Sequence, residues 1–298
     1  MKVVRPREID GLTVIASVSG GKDSTALLLA LREAEIHHRA VFADTQWEAQ
    51  ETYEYFDLLR GRLGMTIDVV GRPGGMRGRI LHRAGFSARM QRWCTRELKI
   101  EPLRAYHDAV EAETGEETVS VMGIRADESP SRAKMLVLDD EPEGARSWGG
   151  WVWRPLLAWS IADVLAIHHR HGIPVNPLYQ KGHSRVGCYP CIFAQKEEIR
   201  LVSENAPGRI GEIRELESDV IKIRAERNEQ RPGRYKHPIG TYFQGVTDSA
   251  GFVPIDDVVK WSRTSHGGRQ FQLIMPPPSG GCMRWGLCEP PSGREEEQ

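Results

Sequence analysis

Between the apolar run Leu12-Thr13-Val14-Ile15-Ala16 and the leucine-rich Ala26-Leu27-Leu28-Leu29-Ala30-Leu31 lies the string Ser19-Gly20-Gly21-Lys22-Asp23-Ser24-Thr25. Glycines let backbone N–H groups converge with no Cβ in the way, and a helix start adds the positive end of its dipole. The string therefore reads as a phosphate cradle on a strand-to-helix turn. Its spacing is not the Walker A pattern of Gly, four residues, then Gly-Lys-Ser/Thr. A carboxylate inside an anion site repels phosphate unless a cation lies between them, so Asp23 implies magnesium bridging to the phosphates. The plainer alternative is a glycine turn that only links strand to helix.

A second constellation is Cys188-Tyr189-Pro190-Cys191. Two thiolates two residues apart grip one metal ion or two irons of one cluster. A redox dithiol would expect a thioredoxin-like context, which is absent. Two more ligands are needed, and Cys94, Cys282 and Cys288 are the remaining thiols of the chain. Zinc would be satisfied by Cys188, Cys191, Cys282 and Cys288. Iron and sulfide would fit the same thiolates, and spacing alone does not choose between zinc and a [4Fe-4S] cluster.

Asp44-Thr45 follows an apolar stretch, where a carboxylate would hold magnesium or a nucleotide, or else cap a helix. Gly123-Ile124-Arg125 leads into Ser129-Pro130-Ser131-Arg132, and two arginines among small hydroxyl residues make a bidentate oxyanion site. The alternative for Arg125 and Arg132 is ordinary pairing with Asp127 and Glu128. Arg92, Arg96 and Lys99 add positive charge nearby. The run His168-His169-Arg170-His171 points several ways on a helix and reads as a solvated face or helix-terminal charge rather than a metal site. Trp148, Trp151 and Trp153 read as core packing.

These groups need elements to position them. Strands are expected at Leu12–Ala16, Ala40–Ala43, Thr66–Val70 and Thr118–Met122, with a helix between the second and third presenting Ala49, Tyr53, Phe56, Leu59 and Leu63. Strand, helix, strand, helix implies a doubly wound parallel sheet of the α/β class, in which ligands sit beyond the strands' carboxyl ends. The loops after residues 18, 43, 70 and 122 should then share one cleft. Gly71–Gly78 is too glycine-rich for regular structure and reads as a mobile loop, as does Asp139–Gly150. Ser160 with Asp163 forms a capping box, and Gly172 ends that helix. A helix is expected from Pro207 to about Gln230, with Ile210, Ile213, Leu216, Val220 and Ile223 on one face and a solvated charged face opposite. The chain after Arg231-Pro232-Gly233 reads as irregular, Pro276–Gly281 as a linker, and Ser292–Gln298 as disordered. Residues 1–195 form the expected nucleotide-binding domain, and 196–298 a helical and irregular extension carrying cysteines.

The 298 residues hold 40 basic and 41 acidic side chains, a net charge of −1, so nothing global drives the chain toward nucleic acid and such contact needs a local basic patch or a partner protein. The N-terminus lacks a secretory core and no apolar run reaches membrane-spanning length. A cytoplasmic protein with no membrane partner is expected. No internal repeat is visible.

Several of these segments, in order, resemble the phosphoadenosine phosphosulfate (PAPS) reductase family of the PP-loop ATP pyrophosphatase superfamily. They are the SGGKDS loop, Phe42-Ala43-Asp44-Thr45 with Glu51-Thr52-Tyr53, and Cys94-Thr95-Arg96-Glu97-Leu98-Lys99-Ile100-Glu101-Pro102-Leu103. Gly123-Ile124-Arg125 with Ser129–Arg132, and Asn176-Pro177-Leu178-Tyr179 with Gly187–Cys191, complete the set. The resemblance covers about residues 10 to 195 and implies an adenine nucleotide α-hydrolase-like fold. Sulfonucleotide reductases carry a degenerate first loop, adjacent cysteines where this chain has Cys94-Thr95, and a Glu-Cys-Gly-type tail that Gly286-Leu287-Cys288-Glu289 does not reproduce. The intact loop is similar instead to DNA phosphorothioation sulfurtransferases and tRNA thiolation enzymes.

That resemblance implies an AMP-forming ATP pyrophosphatase activating a nucleic-acid oxygen for sulfur insertion. Ser19, Gly20, Gly21, Asp23, Ser24 and Thr25 would cradle pyrophosphate with Lys22 offsetting its charge. Asp23 and Asp44 would hold Mg2+, while Arg125 and Arg132, beside Gly123, would steady the anion. The cysteines would bind a [4Fe-4S] cluster, with a cysteine desulfurase as sulfur donor and partner proteins presenting the nucleic acid. A sulfonucleotide reductase forming sulfite and a zinc-stapled nucleotide sensor are the alternatives.

Overall fold

The β-branched run after Leu12 forms the central strand β1 (Thr13–Val18) of a computed structural model that describes residues 2–88, 91–140, 150–235, 240–242 and 253–264. β1 pairs in parallel with β2 (Arg39–Asp44) on one side and β4 (Thr118–Met122) on the other. β3 (Asp68–Gly71) lies outside β2, and the two short strands β5 (Leu138–Asp139) and β6 (Val152–Trp153) extend the sheet beyond β4. The order is β3-β2-β1-β4-β6-β5, with only β5 antiparallel to its neighbour. In register, Ser17 lies opposite both Val41 and Met122, so β1, β2 and β4 end together and their following loops face one side.

The central strands β1, β2 and β4 are buried on both faces, which is why they read as continuous apolar runs, while β3 at the edge is largely exposed. Leucines of α1 (Lys22–Glu33) and the face of α2 (Gln50–Leu63) pack on one side together with Val164 and Ile167 of the helix Ile161–Arg170. Leu103 and Val110, from the helix Glu101–Thr114, cover Ile15, Val41 and Ala43 on the other. These are the two helical layers of a doubly wound α/β fold. Tyr55, not Tyr53, is the tyrosine of α2 that is buried.

Gly71–Gly78 is not irregular throughout. The left-handed glycines Gly74 (φ 76°) and Gly75 (φ 48°) turn the chain into α3 (Gly75–Arg83), whose Met76 and Ile80 are buried. The glycine pair starts a helix where the sequence reading took it as a breaker. After α3, a helical turn at Trp93–Thr95 and a π-turn at Arg96–Ile100 run into α4 (Glu101–Thr114). The capping box at Ser160 and Asp163 opens α5 (Ile161–Arg170), and Gly172 follows it at φ 62°.

α6 (Lys196–Asn205) and α7 (Pro207–Gln230) pack with α8 (Ile255–Ser262) around a second apolar cluster that also includes Trp47, Ile80, Trp93, Leu98, Leu178 and Tyr189. α8 lies in a stretch read as irregular. Its Ile255 and Val258 are buried against this cluster, a tertiary contact that overrides its short length. On α7, Ile210, Ile213, Leu216 and Val220 are buried and Ile223 half-buried. Glu217 departs from the expected solvated charge: it is buried, and its carboxylate accepts the backbone N–H groups of Tyr242 and Ile255, each at 3.0 Å. Trp153 is buried and Trp151 half-buried. Trp148, most of the segment 139–150, the 276–281 linker, Cys282, Cys288 and the 292–298 tail lie outside the described residues.

Candidate nucleotide site and thiol cluster

The loop after β1 is shaped from below as much as from its own glycines. Gly20 adopts φ 71°, and a Cβ there would meet Thr52 Cγ2 at 2.9 Å, so the backbone lies directly on α2. Ser24 Oγ accepts the N–H of Ser19 at 3.2 Å and donates to Gly21 O at 3.0 Å. Thr25 is buried beneath the turn, 3.3 Å from the Tyr55 hydroxyl. Three side chains from a distant segment then fix the loop. His168 Nε2 lies 2.8 Å from Lys22 O, Asn176 Nδ2 donates to Gly20 O at 3.1 Å, and Tyr179 Oη accepts the N–H of Lys22 at 3.3 Å.

His168 therefore departs from the solvated face assigned to its run. It is buried, with Nδ1 3.0 Å from Ile173 O, and burial pushes its pKa down. Arg170 and His171 do face outward, both onto Glu33. Neither His168 nor its partners carried a local signal, because each acts across about 150 residues of chain. Asn176 and Tyr179 entered only through the resemblance.

Above the loop is a cavity of about 550 Å³, lined by Ser19, Gly21, Lys22, Asp23 and Ser24 on one side and by Gly123, Ile124, Glu128, Ser129 and Arg132 on the other. Gly20, Thr25 and Arg125 are not among its lining residues. The two loops meet closely because Gly123 has no Cβ: one placed there would lie 2.6 Å from Asp23 O. Arg125 is buried, and its Nε donates to Asp23 Oδ1 at 2.6 Å while Lys22 Nζ donates to Oδ2 at 2.8 Å. Arg125 also lies 3.5 Å from Asp127, and Arg132 pairs with Glu128. Both arginines are thus in ion pairs, and of the two only Arg132 lines the cavity.

The expected magnesium pair is not drawn together. Both oxygens of Asp23 are engaged by cations, and Asp44 is not among the cavity's lining residues. Asp44 Oδ1 instead accepts from the N–H of Gln46 and the hydroxyl of Tyr53, each at 2.8 Å, and it does not cap α2, whose N-cap is Ala49. Among the described residues, no group of three or more His, Cys, Asp or Glu forms a metal-ligand set.

The thiols lie on the same side of the sheet as the cradle. Cys188 Sγ is 3.7 Å from Thr45 Oγ1 in the loop after β2, and Tyr189 N donates to Trp47 O at 2.7 Å. Pro190 O accepts from Trp47 Nε1 at 3.2 Å and from the Tyr242 hydroxyl. Cys94, Cys188 and Cys191 are all half-buried and free. Cys188 is the strongest influence raising the Lys99 pKa, with Glu48, Cys191 and Cys94 adding to it against burial. Burial pushes the Cys188 thiol up while Lys99 draws it back. Thiolates beside an ammonium suit, in chemical type, an iron–sulfur cluster or zinc alike. Next to this loop, buried His183 donates through Nδ1 to Glu198 at 2.7 Å. Burial alone would raise the Glu198 pKa, but the hydrogen bonds from His183 and Ser184 outweigh it and hold it low.

Arg185 connects the two regions. It lines the nucleotide cavity and also a small pocket formed by Gly187, Cys188, Pro190 and Cys191.

The family model for the phosphoadenosine phosphosulfate reductase domain matches residues 13–194. The chain is 30% identical to an uncharacterized 37.8 kDa protein in the gpa 5' region of Escherichia phage 186, over 87% of this chain and 91% of that one. It is 27% identical to the adenosine 5'-phosphosulfate reductase of Allochromatium vinosum, over 63% and 70% of the two chains. Among solved structures, the phosphoadenylyl-sulfate reductase from Candida auris in its phosphate complex superposes with a TM-score of 0.46 at 18% identity, covering 61% of this chain and 84% of that one.

Proposed function

The chain belongs to the phosphoadenosine phosphosulfate reductase domain family, and on that premise we propose that it is an AMP-forming ATP pyrophosphatase that activates a nucleic-acid oxygen for sulfur insertion. The acceptor oxygen attacks the α-phosphorus of ATP, the bond to the β-phosphate breaks and pyrophosphate leaves. A sulfide-level sulfur then attacks the activated centre, and AMP departs with the oxygen. A cysteine desulfurase supplies the sulfur as an enzyme persulfide, a dithiol reductant gives the two electrons that bring it to sulfide level and is left as a disulfide, and partner proteins present the nucleic acid.

The observation that carries this reading is the undegraded loop Ser19–Ser24, which lines one cavity together with Arg185, the residue that also borders Cys188 and Cys191. Backbone N–H groups at the start of α1 and the hydroxyls of Ser19 and Ser24 suit pyrophosphate, while Gly20 and Thr25 shape the turn from beneath. Lys22 and Arg125, both tied to Asp23, place positive charge where the leaving group gathers negative charge. Arg132 stands across the cavity from Lys22, while Arg125 acts from behind the lining through Asp23. Cys94, Cys188 and Cys191, with Cys282 or Cys288, would hold a [4Fe-4S] cluster, whose chemistry is to carry or deliver sulfur. Zinc on the same thiolates is the structural alternative.

The test is release of pyrophosphate and AMP in equal amounts from ATP in the presence of nucleic acid. Asp23→Asn should abolish it, and unchanged release would remove the reading. A second reading, sulfonucleotide reduction, is favoured by the relatives named as adenosine 5'-phosphosulfate reductases. It predicts sulfite from adenylyl sulfate or PAPS with no ATP consumed.

A further inference from the structure

Between residues 71 and 100 the chain carries eight Lys and Arg against one acidic residue, Glu97, although its overall net charge is −1. The fold gathers much of this excess on one face. Glu97 is buried, its side chain 3% exposed, and four arginines close on it: Arg72 at 3.4 Å, Arg96 at 3.3 Å, and Arg79 and Arg83 in tighter pairs. Glu101, 3.5 Å from Arg72 and 3.4 Å from Arg96, is a second carboxylate in the group. Four guanidinium groups thus share two carboxylates.

Each guanidinium has five N–H donors, far more than two carboxylates accept, so most of the forks remain available to another planar or tetrahedral anion. Arg72, Arg83 and Arg96 expose 38%, 37% and 58% of their side chains. Glu97 acts as a buried anchor that holds like charges together, an arrangement an incoming polyanion relieves. The face continues onto α7, where Arg227 donates to His82 O at 3.0 Å and Arg224 to Ala84 O at 2.6 Å. Its position matters as well. Arg72 is the first residue after β3, at the carboxyl edge of the sheet, and Arg96 is two residues from Cys94.

We propose that this arginine face, built by α3 and the π-turn before α4, is the docking surface for the phosphodiester backbone of a nucleic-acid strand, which it leads past the thiols. The choice of nucleic acid over an acidic protein rests on the functional reading above; the anion-binding face itself does not.

The experiment is a fluorescence anisotropy titration, without ATP, of labelled oligonucleotides of one sequence as single-stranded DNA, duplex DNA and RNA, each over a salt series. Arg72→Gln/Arg96→Gln should weaken binding of the preferred form by roughly tenfold at moderate salt. It should also make the slope of log K against log salt shallower by about two. Arg170→Gln, on α5, should change neither. If the double variant fails to fold, Arg96→Gln alone should lower the slope by about one. Unaltered affinity and slope overturn the proposal. So does failure of the wild-type protein to bind any of the three forms, equal binding of polyglutamate, or an equal loss in Arg170→Gln. Because ATP is omitted, a protein that binds nucleic acid through these arginines but releases no pyrophosphate would sink the functional reading alone.

Discussion

Arg125 Nε and Asp23 Oδ1 lie 2.6 Å apart, joining the loop after β4 to the first turn of α1 across 102 positions of sequence. The other oxygen of the same carboxylate holds Lys22. A residue that the sequence suggests as a metal ligand therefore organises two cations, Lys22 in the cavity lining and Arg125 buried behind it. Asp23 is compatible with phosphate here because its own charge is already spent on its neighbours.

Arg125→Gln should uncouple the two loops. It removes one partner of a mostly buried ion pair, a change that costs about 3 kcal/mol when the remaining charge stays uncompensated. Lys22 still neutralises part of Asp23, so the loss in a urea unfolding curve should fall at or below that figure. Arg125→Lys should restore part of the stability but little of the ATP affinity, since an ammonium lacks the planar fork. Equal ATP affinity in all three proteins would show that the pairing has no part in binding.

Gly123→Ala tests the contact between the same loops without touching a charge. The added Cβ would have to push Asp23 O from 2.6 Å to an ordinary contact distance, and both neighbours are backbone. Overpacking of this kind costs typically 1 to 3 kcal/mol. The KM for ATP should rise while the fold, followed by circular dichroism, persists. A variant with wild-type KM would mean that the cavity tolerates a wider separation.

Acid should destabilise the protein before most carboxylates titrate. His107 on α4 is buried against Thr118, with Nδ1 2.7 Å from its Oγ1, and burial pushes its pKa down to about 4 from the usual 6.5. The folded state therefore favours the neutral imidazole. Its contribution is fully present above 6.5 and is lost as pH falls toward 4, reaching about 3 kcal/mol at most. Glu33, held down to about 2 chiefly by its hydrogen bond to Arg170, acts in a lower window, between its usual 4.5 and 2. That pair is partly exposed, so its share is under about 1 kcal/mol. Melting temperatures from pH 7 to 4 should fall less in His107→Gln than in the wild type. Parallel curves would exclude the histidine as the cause.

The chemistry of the site was more legible than its scaffolding. The glycine and hydroxyl string, Gly123 and the CxxC pair advertise themselves because their functions need particular residue types close together in sequence. β4 and α7 were legible to their boundaries, since long periodic runs leave few alternatives. His168 gave no such sign: a histidine in a charged run looks solvated until a distant carbonyl is placed against it. The arginines around Glu97 were visible only as scattered charge, because their convergence depends on α3, and Gly74-Gly75 looked like a break rather than the start of that helix. Nor did the sequence show that Asp44 is held by the Tyr53 hydroxyl, whose ring also packs against the core.

The buried Glu217 carboxylate fastens Tyr242, and the Tyr242 ring reaches back to Pro190 between the paired cysteines. Tyr242 is thus a strut for the turn that carries Cys188 and Cys191. Shortened versions of this protein trimmed to residues 13–194 would keep the loop after β1 and lose the Tyr242 prop under Pro190, opening the Cys188 and Cys191 thiols to solvent and oxygen.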